Sequence, residues 1–328
     1  MPPQLTIAIP TYNRAALLKR ALESTLIQTS DKVAILVSDN GSTDETRSIL
    51  EKYADPRLTI IRHANTMSRA EHGTFIFNYV KTEFITILSD DDWLEPDFAA
   101  EVIQLYHQHP DISFAYTGCW EHYYDVKILA LTGPIIETPK DFFTHFYAKK
   151  RNVSWCACAM RIKDIMPLTP QPENIIMGDM YFWTKIGKKA NIGCINKALS
   201  HYTILRENGE SHSQIVPVMA WGNESLATAT EVIESLKPVL DDYEIKTIRN
   251  NAKLYAAHSI SLRFLFGRLY GMSVMESLGI LPVCFRFNGW NLNGICRVVA
   301  ACILPRTILR LIVVRMITIM AAKRSIKK

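Results

Sequence analysis

The stretch "SDDDWLEPD", residues 89–97, places three consecutive carboxylates, Asp90, Asp91 and Asp92, directly behind the apolar run "EFITIL". Carboxylates this close repel one another, and the repulsion costs stability unless a positive charge sits among them. Two more polar clusters follow apolar runs of the same kind. "PTYNR" at residues 10–14 comes after "LTIAI", and "SDNGSTD" at residues 38–44 comes after "VAILV". Neither can cradle a phosphate on glycine-rich backbone. "IPTYNRA" has no glycine where a dinucleotide-binding turn needs G-x-G-x-x-G, and the chain has no P-loop G-K-[ST]. Acids at such a site would repel a bare phosphate, so a hard divalent cation carrying a diphosphate is the expected positive partner. Mg2+ or Mn2+ takes oxygen ligands and commonly shares one or two carboxylates with substrate phosphates.

The elements that must carry these clusters alternate in type. "LTIAIPTYN", "VAILVSD", "RLTIIRH" and "EFITILS" are β-rich apolar runs. Between them, "RAALLKRALESTLIQT" repeats Leu17, Leu18, Ala21, Leu22 and Leu26 at helical spacing, and "ETRSILEKYA" and "RAEHGTFIFNYV" also read as helices. Alternation of this kind predicts crossover units and an α/β fold with a mostly parallel sheet. Ligands of such sheets bind beyond the carboxyl ends of the strands. All three polar clusters fall at those ends, and their convergence on one rim says more than any one of them. Taken singly, Asp39-Asn40-Gly41 is also a good turn sequence, and the three acids would suit a helix N-terminus.

At 328 residues and 48% hydrophobic, the chain can bury the core of one large domain, or of one domain with an appendage. The opening "MPPQLTIAIP" has neither the basic start nor the long apolar stretch of a secretory leader. Seven cysteines without framework spacing suit a reducing, cytoplasmic compartment, and Cys156 and Cys158 read as ordinary buried thiols.

The three motifs "IAIPTYNRAALLKRALESTLIQT", "ILVSDNGSTDET" and "ITILSDDDWLEPD", in this order, resemble family 2 glycosyltransferases of the GT-A fold. The similarity is good over about residues 4–120 and continues more weakly to about 215. It implies a Rossmann-like sheet flanked by helices and an inverting transfer of sugar from a nucleotide-diphosphate sugar to a saccharide or lipid-linked acceptor, in surface-polysaccharide assembly. By the same resemblance Thr11, Tyr12 and Asp39 line the base pocket, with Asp39 accepting a hydrogen bond from the base. Asp90 and Asp91 would occupy the metal and ribose positions of a D-x-D motif. Asp90-x-Asp92 is the other register, so all three acids are candidate ligands of Mg2+ or Mn2+.

Arg69 and His72 in "NTMSRAEHG" are possible diphosphate contacts or plain surface charges; Gly73 stands where the family has Asn. The family's base is an acid at a helix start, which "NIIMGDMYFWTKIGKKA" matches with Asp179, Gly178 replacing the usual Glu. Trp155 lies where the family approaches its acceptor, or is a core aromatic. "YTILRENGESHS" resembles the loop that closes over the diphosphate, which makes Arg206 a donor contact and His212 a metal-ligand candidate. The alternatives are a catalytically inactive nucleotide- or glycan-binding scaffold and a metal-dependent nucleotidyltransferase. The second normally needs a Gly- and Lys/Arg-rich opening loop. Nucleic acid is not an expected partner.

Charge is unevenly distributed. Glu276 is the last acidic residue, and nine of the 37 Lys and Arg lie beyond it. The expected organisation is a catalytic domain over 1–215, a helical region over 216–276 packing on it, and a basic apolar tail over 277–328. No uncharged run of the tail reaches the roughly 18 residues of a spanning helix. Pro305 suits the first turn of a helix, on which Arg306 and Arg310 would share a face with Arg315 almost opposite, so that Arg315 must snorkel. Anionic headgroups would attract these charges, with Phe285, Phe287 and Trp290 at the interface. The protein is thus expected on the cytoplasmic face of a membrane, as a peripheral enzyme. A helical layer packed on the catalytic domain is the competing expectation for the tail.

Overall fold

The computed structural model describes residues 2–130, 132–205, 218–269, 271–276, 278, 282 and 292–325. The first part of the chain alternates as its pattern predicts: β1 (Leu5–Thr11), α1 (Ala15–Leu26), β2 (Val33–Asp39), α2 (Thr46–Leu50), β3 (Leu58–Arg62), α3 (Arg69–Tyr79) and β4 (Phe84–Ile87). β1 lies between β2 and β4, parallel to both, and β2 is also parallel to β3. A strand so placed is covered on both faces, so its sequence is nearly continuous apolar rather than alternating. Leu5, Ile7, Ala8 and Ile9 are all fully buried. β3 is the edge strand of the order and is largely exposed.

The sheet continues beyond β4 in antiparallel strands. The chain adds β5 (Trp93–Leu94), α4 (Phe98–Gln108), β6 (Phe114–Tyr123), β7 (Val126–Leu129), β8 (Ile136–Glu137), α5 (Pro139–Tyr147), β9 (Cys158–Arg161), α6 (Ile162–Ile165), α7 (Gly178–Gly187) and β10 (Ile192–Leu205). The order is β3-β2-β1-β4-β9-β6-β10-β5, with β7 on β6 and β8 on β10. β9 is antiparallel to both β4 and β6, and β10 is antiparallel to β5. α1 and α4 close one core against these strands through Leu18, Leu22, Val102 and Tyr106.

The chain divides into two compact units. The first comprises Met1–Trp120, Ala130–Phe142 and Asn152–Thr203; the second comprises Glu121–Leu129, Phe143–Arg151 and Ile204–Lys328. The second contains α8 (Val218–Leu236), α9 (Asp242–Leu269), α10 (Leu292–Ile303) and α11 (Arg306–Ser325). α11 starts immediately after Pro305, whose carbonyl accepts the Leu309 N–H at 3.0 Å. Leu309, Val313 and Ile317, each four residues apart, enter one apolar core with Ile260, Phe264 and Val298. The described part of the 277–328 segment thus shares its core with α9 and does not stand apart as a tail. Phe285, Phe287 and Trp290 lie outside the described residues.

In-register parallel pairing brings the strand ends to one rim. Thr11 is opposite Asp39, and Asp39 is opposite Arg62. The turn leaving β2 depends on Gly41, whose φ of +81° is a left-handed conformation; a Cβ there would lie 3.3 Å from the backbone of Asn65 and Thr66. Gly41→Ala is therefore expected to cost about 1–2 kcal/mol of unfolding free energy, measurable as a lowered urea midpoint with an unchanged m-value.

Candidate functional site

The rim is built from two loops that fasten one another. Asn13, itself left-handed at φ 53°, receives the Thr43 N–H on its Oδ1 at 2.7 Å and donates its own N–H to Ser42 Oγ at 2.8 Å. Asp44 Oδ2 accepts the Ala15 N–H at 3.0 Å, satisfying a free donor at the start of α1. The turn and the site are thus the same feature, since "SDNGSTD" turns the chain in order to hold "PTYNR".

The positive charge among the three carboxylates is Arg14. Its Nη1 lies 2.5 Å from Asp90 Oδ1 and its Nη2 lies 3.2 Å from Asp91 Oδ2. Thr11, which the resemblance places along the base pocket, donates its hydroxyl to Asp90 Oδ2 at 2.8 Å. Burial pushes the Asp90 carboxyl up to about 6; Arg14 pulls it down and Asp91 raises it further. Burial works against the charge on Arg14 too, yet the two acids raise its pKa above the ordinary value.

Asp92 differs from its neighbours. It is fully buried, and burial together with the charge on Asp91 raises its pKa well above the ordinary value. Its Oδ1 accepts the Thr203 N–H at 2.8 Å. Enclosed in this way, Asp92 serves the backbone, whereas Asp90 and Asp91 share the Arg14 guanidinium. Behind the loop, Arg20 donates to the Asp91 carbonyl at 2.8 Å and lies 3.6 Å over the Trp93 ring. Trp93 stacks on His201 at 4.5 Å, and His201 pairs with Glu95 at 2.7 Å.

Two adjacent carboxylates fit a hard cation that takes its remaining ligands from phosphate and water. Among the described residues, no group of three His, Cys, Asp or Glu gathers to hold a metal unaided. Arg206 and His212 lie outside the described residues.

The other expected residues are placed as follows. Tyr12 presents an exposed ring on the rim. Asp39 is enclosed: Oδ1 accepts the Ser42 N–H at 2.9 Å and Oδ2 accepts Arg62 Nε at 3.0 Å. Arg69 is an exposed residue whose guanidinium is engaged by backbone. It donates to the carbonyls of Ile175 at 2.5 Å and Ile176 at 3.3 Å, while its neighbour Ser68 donates to Glu173 at 2.6 Å. These contacts fasten the start of α3 to the segment that precedes Asp179. Asp179 is the second residue of α7, with Met177 as the N-cap, so it is not the capping residue; its Oδ1 accepts the Met180 N–H at 2.8 Å. The space beside Gly178 is taken by Gln171. Trp155 packs against Phe182 of α7 at 5.9 Å.

Arg14, Arg20, Arg62, Trp93, His201 and Thr203 were not singled out in the sequence. One signal for Arg14 was present: the demand for a cation among the acids, with an arginine ending a cluster on the same rim. The stack behind the acids left no such trace.

Residues 6–165 match the family model described as glycosyl transferase family 2. The putative glycosyltransferase EpsH of Bacillus subtilis is 27% identical over 158 residues, which is 47% of this chain and 46% of that protein. Chondroitin synthase of Escherichia coli is 32% identical over 117 residues, 35% of this chain and 17% of that protein. The chain spans less than half the length of either curated relative. Among solved structures, residues 1–349 of TarS from S. aureus, in complex with UDP-GlcNAc, align with a TM-score of 0.62 at 17% identity, over 89% of this chain and 81% of that one. The mannosyltransferase PcManGT from Pyrobaculum calidifontis, in complex with GDP-Man and Mn2+, gives 0.57 at 17% identity, over 92% and 87%. At these identities the likeness is one of fold.

His72, a possible diphosphate contact from sequence, is 6% exposed, and its Nε2 lies 2.7 Å from Ser38 Oγ. Burial, and next the neighbouring His63, push its pKa down to about 4, with Asp39 opposing. An unfolded histidine titrates near 6.5. Between these values the unfolded chain binds more protons, so this contribution is complete above the unfolded value and is lost as pH falls towards the folded one. His72→Gln should therefore shrink the loss of unfolding free energy between pH 7 and pH 5 by about 2 kcal/mol, as read from urea titrations of both proteins.

Proposed function

We propose that the chain, whose residues 6–165 match the glycosyl transferase family 2 model on a fold like that of solved glycosyltransferases, performs an inverting transfer of sugar from a nucleotide-diphosphate donor to a saccharide or lipid-linked acceptor. The observation that carries this reading is the pairing of Asp90 and Asp91 beyond the end of β4, on the rim where Thr11 and Asp39 meet. Asp90 and Asp91 would hold Mg2+ or Mn2+, which when bound supplies positive charge opposite the departing diphosphate. Tyr12, exposed on the rim, is suited to stack on the base. Asp179 takes the acceptor hydroxyl's proton while the acceptor oxygen bonds to the anomeric carbon and the bond to the diphosphate breaks. One displacement of this kind inverts the anomeric centre. The names of the curated relatives, chondroitin synthase among them, support a setting in polysaccharide biosynthesis.

Asp91→Asn should abolish metal-dependent binding of donor without lowering the melting temperature; unchanged turnover would rule out its role as a ligand. Asp179→Asn should keep donor and metal binding and lose transfer by roughly two to four orders of magnitude. Loss of donor affinity in that variant would reassign Asp179 to donor binding or structure. Metal-dependent hydrolysis of UDP- and GDP-sugars separates the enzyme from an inactive scaffold, which should show none.

Membrane association belongs to the same proposal. α11 buries one stripe and exposes Ile308, Leu311, Ile312, Ile319 and Met320, together with Arg306 and Arg315. Among the described residues no helix is long and apolar enough to cross a membrane. An apolar stripe beside arginines suits a helix lying in an anionic interface, here at the cytoplasmic face. Truncating the tail would open the core around Val313 and Ile317, so the double substitution Leu311→Asp, Ile312→Asp is the cleaner test. Flotation on vesicles containing anionic lipid should be salt-sensitive in the wild type and lost in the double variant. Undiminished flotation of the variant would remove α11 as the anchor.

A further inference from the structure

Arg14 answers to two carboxylates at once, and this has a consequence for how any cation reaches them. Asp90, Asp91 and Arg14 together carry one net negative charge while both acids are ionised. Asp90 is the more enclosed acid, its side chain 4% exposed against 10% for Asp91. Both its oxygens are engaged, one by Arg14 and one by Thr11. The weaker arm of the fork is the 3.2 Å contact to Asp91, so Asp91 is the place where a cation can compete. A divalent ion entering alone would turn the trio's net charge to plus one. It would also leave a guanidinium that is only 18% exposed facing a like charge without its second carboxylate. Both penalties vanish when a diphosphate enters with the ion, because phosphate oxygens can take the freed guanidinium nitrogen as well as the metal.

Building on the reading of Asp90 and Asp91 as metal ligands, we infer that Arg14 is a further positioning residue of the site. It holds Asp91 until nucleotide arrives, makes cation binding conditional on the diphosphate, and passes its second nitrogen from Asp91 to that diphosphate. Metal and nucleotide then bind as a coupled pair, and the coupling is the same whichever of the two is varied.

The test is calorimetric titration of Mn2+ into the full chain, alone and with UDP or GDP at saturation, for wild type, Arg14→Gln and Asp91→Asn. The wild type should bind Mn2+ weakly alone and at least about tenfold more tightly with the nucleotide that it accepts. Arg14→Gln should bind Mn2+ alone about tenfold more tightly than the wild type and lose most of the nucleotide's effect. Asp91→Asn should lose Mn2+ binding in both conditions. Arg14→Lys, which keeps the charge but not the fork, should stay nearer the wild type than Arg14→Gln does.

Wild type that binds Mn2+ equally well with and without nucleotide would overturn the inference, and it needs no variant that might fail to fold. Equal Mn2+ affinity in wild type and Arg14→Gln would also overturn it while leaving the metal assignment standing. Absence of Mn2+ uptake in every protein and condition would bring down both the inference and the metal reading on which it rests.

Discussion

The fork that Arg14 makes between Asp90 and Asp91 is the interaction around which the rim is organised. It joins the end of β1 to the segment after β4 across 76 residues of sequence, and without it three successive acids would crowd one strand end. Its geometry is prepared on both sides. Asn13 accepts a left-handed backbone that few residues other than glycine tolerate, and the hydrogen bonds to Ser42 and Thr43 hold it there. Thr11 fixes the far oxygen of Asp90, so the carboxylate cannot rotate away from the guanidinium.

Three identical residues in a row thus meet three different fates, decided by enclosure rather than by chemistry. Asp90 is buried but compensated by two hydrogen-bond donors, Asp91 lies nearest to solvent, and Asp92 is sealed in, where burial raises its pKa well above the ordinary value. The layer beneath makes this division possible. Arg20, Trp93 and His201 form a stacked column that supports the Asp91 carbonyl behind the loop. A cation placed over an aromatic face and also bonded to a carbonyl contributes on the order of 1–2 kcal/mol, enough to hold one loop conformation against its alternatives.

The parallel half of the sheet was legible in the sequence because burial on both faces leaves long apolar runs, and because the polar clusters mark where those runs end. Pro305 likewise announced the start of α11. The antiparallel continuation through β9, β6 and β10 was not legible, since short strands such as Cys158–Arg161 carry no period that would distinguish them from a buried helix turn. Side-chain direction escaped for the same reason. Local pattern cannot say that Asp92 turns inward, that Arg69 reaches back to the carbonyls of Ile175 and Ile176, or that His72 faces Ser38. Each of these depends on a partner dozens of residues away. The 277–328 segment read as a separate tail because its apolar content and its arginines are local facts. Its partners in α9 are not.

The second unit is assembled from three separate stretches of chain, of which the first two, Glu121–Leu129 and Phe143–Arg151, precede the third by dozens of residues. Ile128 belongs to a core whose other buried members, among the described residues, come from residues 260 onward. During synthesis the β6–β7 hairpin therefore leaves the ribosome long before the helices that will cover it exist. A fragment starting at residue 204 would lack the hairpin and the end of α5 altogether. The second unit is therefore not a portable module: no single continuous fragment contains all of it without also carrying Ala130–Phe142 and Asn152–Thr203 of the first.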